Sequence, residues 1–266
     1  MIIKPFSYLH QSVEEAAGVP FESNMLFWFK DITNTESGKV WSDSSPANTS
    51  TATLVGTNAT VSGGAARINN SSSPTTNRLI IKPTTSTINV KSLLLLFNNP
   101  DIQPGSGTTR NYFYDCRDAN AQSPDNAGFF NQYDSTSTAS DKVHGNDATF
   151  FAYNAGEASA FNGGTITTTL LTDGTNNSTG GNDYYQWLGP NGRSVNNTKR
   201  IFFFNYNSNK DVQITTTNEG WYFGTNDGGT EGGSFAYYEI IGYDTALTFS
   251  QFETVVDWLK GRGIIT

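Results

Sequence analysis

Much of what ordinary protein chemistry needs is missing from this sequence. Its 266 residues include one cysteine, Cys116, and two histidines, His10 and His144. A single cysteine excludes an intrachain disulfide. In "NYFYDCRD" it reads as a small apolar filler at a strand end. The histidines are far apart and show no ligand spacing, which argues against zinc. They also supply no triad, and the Gly-x-Ser-x-Gly elbow does not occur. "NGRSVNNTK" lacks the Lys-Ser/Thr that a phosphate-cradling loop carries after its second glycine. Charged residues are few at 15%, with Lys and Arg scattered singly, so nothing supports nucleic-acid binding. The net charge of −8 speaks to solubility. The longest apolar run, "LLLLF" at 93–97, is far below the roughly 20 residues of a membrane span. The first twenty residues lack an apolar stretch of about 7–15, so no signal peptide is expected.

What is abundant fits an all-β protein. Aromatics make up 13% and glycines number 26, and Asn, Thr and Ser fill much of the rest. Aromatic and β-branched residues pack on pleated faces, while Gly and Asn supply turns. About a dozen candidate strands follow one another between turn signals, the pattern of a sandwich or barrel. "LLLLF" and "IFFF" do not alternate and read as strands covered on both faces. The polar stretches 98–109, 134–148 and 173–197 read as long loops.

The two ends differ from the body. Residues 1–24 read as an N-terminal arm, and the body follows as one domain over 25–266. Ile2, Ile3, Phe6, Tyr8 and Leu9 make the arm apolar, and Ser12 with Glu15 matches a capping box. The arm suits either a strand and turn laid on the body or a docking segment on a neighbouring chain. At the other end, Thr248 and Gln251 form a capping box. Phe249, Phe252, Val256 and Leu259 then give one apolar stripe, with Gly261 as the stop. This predicts a helix over roughly 249–260 that plugs the open end of the core.

The opening of the body carries Trp28, Asp43-Ser44-Ser45, Thr53-Leu54-Val55-Gly56, Gly63-Gly64 and Leu79-Ile80-Ile81. Its close carries Gly232-Gly233, Phe235, Glu239-Ile240-Ile241, Tyr243-Asp244, Ala246-Leu247 and the helix. Taken together, these segments resemble laminin-G-like, concanavalin A-like jelly-roll domains. The resemblance spans about 25–262, strongest at both ends. It implies a two-sheet antiparallel jelly-roll sandwich with a short C-terminal helix. Such folds host lectins, glycosidases and plain adhesion modules, so function needs separate tests.

Glucanases of this fold carry Glu-x-Asp-x-(x)-Glu on one strand, and that motif is absent. Glu239 and Asp244 are five apart, an odd separation that puts them on opposite faces of a strand. Calcium is the remaining metal candidate, through Asp173 and Asp183 in one Gly-rich stretch and Asp227 in another. Such stretches also serve simply as turns. Tyr184, Tyr185 and Trp187, on the 173–197 loop, are the candidate glycan contacts.

Three functions are weighed. The first is a non-enzymatic virion structural protein, of the kind that decorates a phage capsid or sits on a fibre or appendage. An adhesion-type fold without a secretion signal, rich in Asn and Thr and carrying a docking arm, suits that place. Its partners would be a major capsid protein or appendage subunits, and it would form a homo-oligomer or sit in many copies on the virion surface. The second is a carbohydrate-binding or host-receptor-binding module that touches cell-surface glycans. The third is a glycoside hydrolase.

Overall fold

The computed structural model describes residues 18–31, 39–70, 77–101, 109–115, 128–133, 142–145, 148–154, 167–170, 183–186, 200–206, 212–217, 220–225 and 232–264. The apolar arm residues Ile2, Ile3, Phe6, Tyr8 and Leu9 lie outside them, as do Cys116, Asp173, Trp187 and Asp227. The described strands are, in chain order, β1 (Met25–Phe29), β2 (Val40–Ser42), β3 (Ser50–Val55), β4 (Ala59–Ser62), β5 (Ala65–Ile68) and β6 (Arg78–Pro83). Next come β7 (Ile88–Val90), β8 (Ser92–Asp101), β9 (Thr109–Asp115), β10 (Gly128–Tyr133), β11 (Lys142–Gly145) and β12 (Ala148–Asn154). The last are β13 (Thr167–Leu170), β14 (Asp183–Gln186), β15 (Arg200–Tyr206), β16 (Val212–Ile214), β17 (Trp221–Phe223) and β18 (Ser234–Tyr243). The helix α1 (Phe249–Gly261) follows.

These strands form an all-β sandwich. One sheet runs β13-β12-β15-β8-β18-β5-β4, with β1 also paired to β18. The other runs β14-β11-β10-β9-β17-β6-β3-β2, and β16 pairs with β7 beside them. The pairings are antiparallel, for example β8 with β18 and β3 with β6. Period-two burial appears where one face meets solvent: β3 and β6 both alternate along their length. Between the sheets lies a core built from Phe27, Phe29, Trp41, Leu54, Leu79, Phe97, Phe202, Trp221 and Phe223, among others.

The central strands of the first sheet are covered twice, as their unbroken apolar runs predict. Leu93, Leu95 and Phe97 of β8 enter the inner core, while Leu94 and Leu96 enter a second cluster on the outer face. On β15, Phe202 and Phe204 point inward, and Ile201 and Phe203 outward. The cover on the outer face is α1, through Phe252, Val255, Val256 and Leu259.

This corrects the expected place of the helix. It lies across the outer face of a sheet and does not plug an end of the sandwich. The reason is that consecutive apolar residues on β8, β15 and β18 leave a second face that water must not reach. The helix runs one residue further than expected and takes in Gly261. Arg262 keeps helical dihedrals (φ −81, ψ −4), and the reversal waits for Gly263 at φ +68. There the Gly263 N–H donates to the Lys260 carbonyl at 2.8 Å and the Ile264 N–H to the Leu259 carbonyl at 3.1 Å. That is the Schellman pattern, which wants glycine at the left-handed position. The N-terminal box forms as expected. Thr248 Oγ1 accepts from the Gln251 N–H at 3.3 Å, and Gln251 Oε1 accepts from the Thr248 N–H at 2.8 Å.

Two stretches read as loops contain strands. β11 lies within 134–148, and β14 lies within 173–197. Their polar sequences, "KVHG" and "DYYQ", carry little local signal, and cross-strand pairing makes them strands.

Candidate functional site

Buried carboxylates are the first places to look for chemistry, because burying one without partners is costly. Among the described residues these are Asp43 and Glu239. Asp43 belongs to the Asp-Ser-Ser turn. Its Oδ1 accepts from the Trp28 N–H at 2.9 Å and the Ser45 N–H at 2.8 Å, and its Oδ2 accepts from the Ser50 N–H at 3.2 Å. One side chain thus ties β1 of the first sheet to the turn and to β3 of the second. The Phe29–Asp43 bridge reinforces that link. The motif is therefore explained by architecture.

Glu239 sits where β18 slips register against β8, between Tyr237 and Glu239. The slip is a bulge, and bulges re-aim side chains. Here it turns Glu239 towards the helix side. Its Oε2 accepts from Trp28 Nε1 at 3.0 Å and from Arg262 Nη1 at 3.1 Å, and Oε1 lies 3.0 Å from the same Nη1. Arg262 in turn lies 4.6 Å from the Trp258 ring and 5.3 Å from the Trp28 ring. The two indoles are 5.4 Å apart, and Lys30 Nζ sits 3.9 Å from the Trp28 ring. Burial, and then the Glu239 charge, push the Tyr243 hydroxyl far above the usual tyrosine range. Burial alone raises Tyr237 in the same direction.

Glu239 is thus a structural carboxylate on a central strand, its oxygens occupied by Trp28 and Arg262. Asp244 is exposed and accepts from Asn24 Nδ2 at 3.1 Å. The two acids are committed to different partners. The sequence marked Trp28 and Glu239 as fold residues but missed Arg262, Trp258 and Lys30. Trp258 falls off the apolar stripe next to Leu259, and that displaced aromatic was the available signal.

A third polar junction closes a corner of the sandwich. Asn70 Nδ2 donates to the carbonyls of Asn77 and Gly224 at 2.8 and 2.9 Å, and Asn77 Nδ2 donates to the Asn69 carbonyl at 2.8 Å. Asn77 Oδ1 also accepts from the Asn58 N–H at 2.9 Å. These amides replace ladder bonds that the loop geometry cannot make.

Of the candidate glycan contacts, Tyr184 and Tyr185 lie on β14, the edge strand of the second sheet, opposite His144 and Val143 of β11. They belong to a strand and not to a free loop. Trp187 lies outside the described residues. Asp183 opens the same strand opposite Gly145. The other calcium candidates, Asp173 and Asp227, lie outside the described residues. Among the described residues, no group of three or more His, Cys, Asp or Glu side chains is placed to hold a metal ion. No helix among them is long and apolar enough to cross a membrane.

No protein-family model matches the chain, and no curated protein matches it. Among solved structures it is similar to Trypanosoma rangeli sialidase in complex with sialic acid. That match has a TM-score of 0.40 at 12% identity, over 93% of this chain and 34% of that one. A likeness at that level carries no argument about fold or activity.

Proposed function

We propose that this chain is a non-enzymatic module of the concanavalin A-like jelly-roll kind, carried in many copies on the surface of a virus particle. Its role there is that of a phage decoration, fibre or appendage protein. The supporting observation is that the molecule has two separate surfaces. Val19 and Phe21, in the last part of the arm, pack against the helix-side core. Asn24 is tied to Asp244 by its side chain and by the Asp244 N–H at 2.9 Å. The edge strand bearing Tyr184 and Tyr185 belongs to the other sheet. The end of the arm held at one face, and an edge strand with two tyrosines in its sequence on the other sheet, suit a contact module mounted on a shell. Gold-labelled antibody to this chain should mark intact particles of its source. Label found in lysates but never on particles would refute the proposal. Turnover of any substrate in a broad glycoside panel would refute its non-enzymatic part.

Tyr184 and Tyr185 on an edge strand favour a second reading, a glycan- or receptor-binding module. A glycan array would then give a binder, and Tyr185→Ala and Trp187→Ala would weaken it. An array without binders would remove this reading.

A further inference from the structure

We propose that the corner formed by Trp258 and Arg262 binds a carboxylate-bearing sugar, whether or not the chain rides on a particle. A guanidinium carries five N–H donors in a fixed fork. In Arg262 the Nη1 end is taken by Glu239, at 3.0 and 3.1 Å from its two oxygens. Among the described residues no hydrogen bond goes to the other edge, Nε with Nη2. The side chain keeps 20% of its surface exposed. That free edge is the side-on fork that grips a carboxylate with two parallel bonds. Glu239 and the two indoles hold the guanidinium plane still, so little freedom remains to be lost on binding.

The surroundings favour a sugar. Trp258 is half-buried against the helix-side core and stands 4.6 Å from the guanidinium, and its Nε1–H has no hydrogen-bond partner among the described residues. The uncovered part of an indole beside a fixed fork can meet a pyranose ring and donate to a ring hydroxyl. Lys30 adds a second cation over Trp28, with 28% of its side chain exposed. The nearby acids are accounted for. Glu239 is filled, Asp31 stands 3.8 Å from Lys30, and Asp257 stands 3.9 Å from Lys260. The donors left over are the second edge of Arg262 and the Trp258 Nε1–H, and an acceptor-rich ligand completes them.

The test is a titration of the whole chain with a uronic acid trisaccharide, followed through the ¹⁵N indole resonances. The same trisaccharide with its carboxylates reduced to alcohols is the control. The uronate should shift the Trp258 indole, and the reduced sugar should bind about tenfold more weakly or worse. Arg262→Lys keeps a cation for Glu239 but loses the fork, and should cost a similar factor. Glu239→Gln weakens the hold on the guanidinium and should weaken binding by less than Arg262→Lys does. Each variant is read only with a native-like amide spectrum. Three results would overturn the proposal: equal binding of both sugars, no Trp258 response, or full binding by Arg262→Lys. A short acidic peptide that binds as well as the uronate would overturn the sugar assignment.

Discussion

Two hydrophobic cores lie on either side of the sheet that contains β8 and β18, and they are assembled differently. The inner one is closed by two sheets and is rich in rings. Phe97 meets Phe202 edge-on at 4.6 Å, Phe27 stacks on Phe29 at 5.5 Å, and Trp221 meets Phe223 at 5.3 Å. The outer one is closed by a single helix and contains a partly buried ion pair, its carboxylate buried, with two indoles around it. Strand ladders fix the inner core, so packing alone suffices there. A helix on a flat sheet face can slide or rotate, and directional contacts stop it. Glu239 and Arg262 do this at one end, and the capping box frames the other. Buried ion pairs contribute more surely to register than to net stability.

Phe97→Ala should therefore have the largest effect. It should cost about 3–5 kcal/mol and lower the denaturation midpoint of the whole sandwich. Loss of helix signal alone, with the β signal intact, would break the comparison. Arg262→Ala comes next, at about 2–4 kcal/mol, because it leaves Glu239 buried and unpaired. Replacing both, with Glu239→Met and Arg262→Met, should recover most of that loss. If the double variant is as unstable as the single one, the pair contributes net stability and the contrast between the two cores fails. Gly263→Ala should cost about 1 kcal/mol, through its φ alone, since an added Cβ there meets nothing within 4 Å.

The smallest change at neutral pH should come from Tyr243→Phe. The Tyr243 hydroxyl is buried and has no hydrogen-bond partner, so its removal should be neutral or mildly stabilising. At high pH the sign becomes visible. The folded-state pKa of Tyr243 is raised above its unfolded value. Its stabilisation is therefore complete below about pH 10 and is lost as pH rises further. Urea titrations at pH 7 and pH 11 should show a smaller alkaline loss for Tyr243→Phe than for the natural chain.

The parts of this structure that follow local rules were legible in the sequence. "LLLLF" announced a strand covered twice, Thr248 and Gln251 announced the helix start, and the Asp43 turn lies where the pattern put it. The parts set by long-range pairing were not. Glu239 and Arg262 are 23 residues apart, and only the bulge in β18 and the late helix stop bring them together. "DYYQ" is a strand because β11 is beside it. The face that the helix covers could not be read from its stripe, since a stripe shows that a face is buried but not against what.

The central proposal is that the N-terminal arm docks this module on a shell while the sandwich faces outward. Co-sedimentation with particles of the source that lack the protein tests it most directly, comparing the full chain with one missing residues 1–17. The full chain should pellet with the particles, and the shortened one should stay in the supernatant with its fold intact. Equal pelleting of the two, or none by either, would contradict the account.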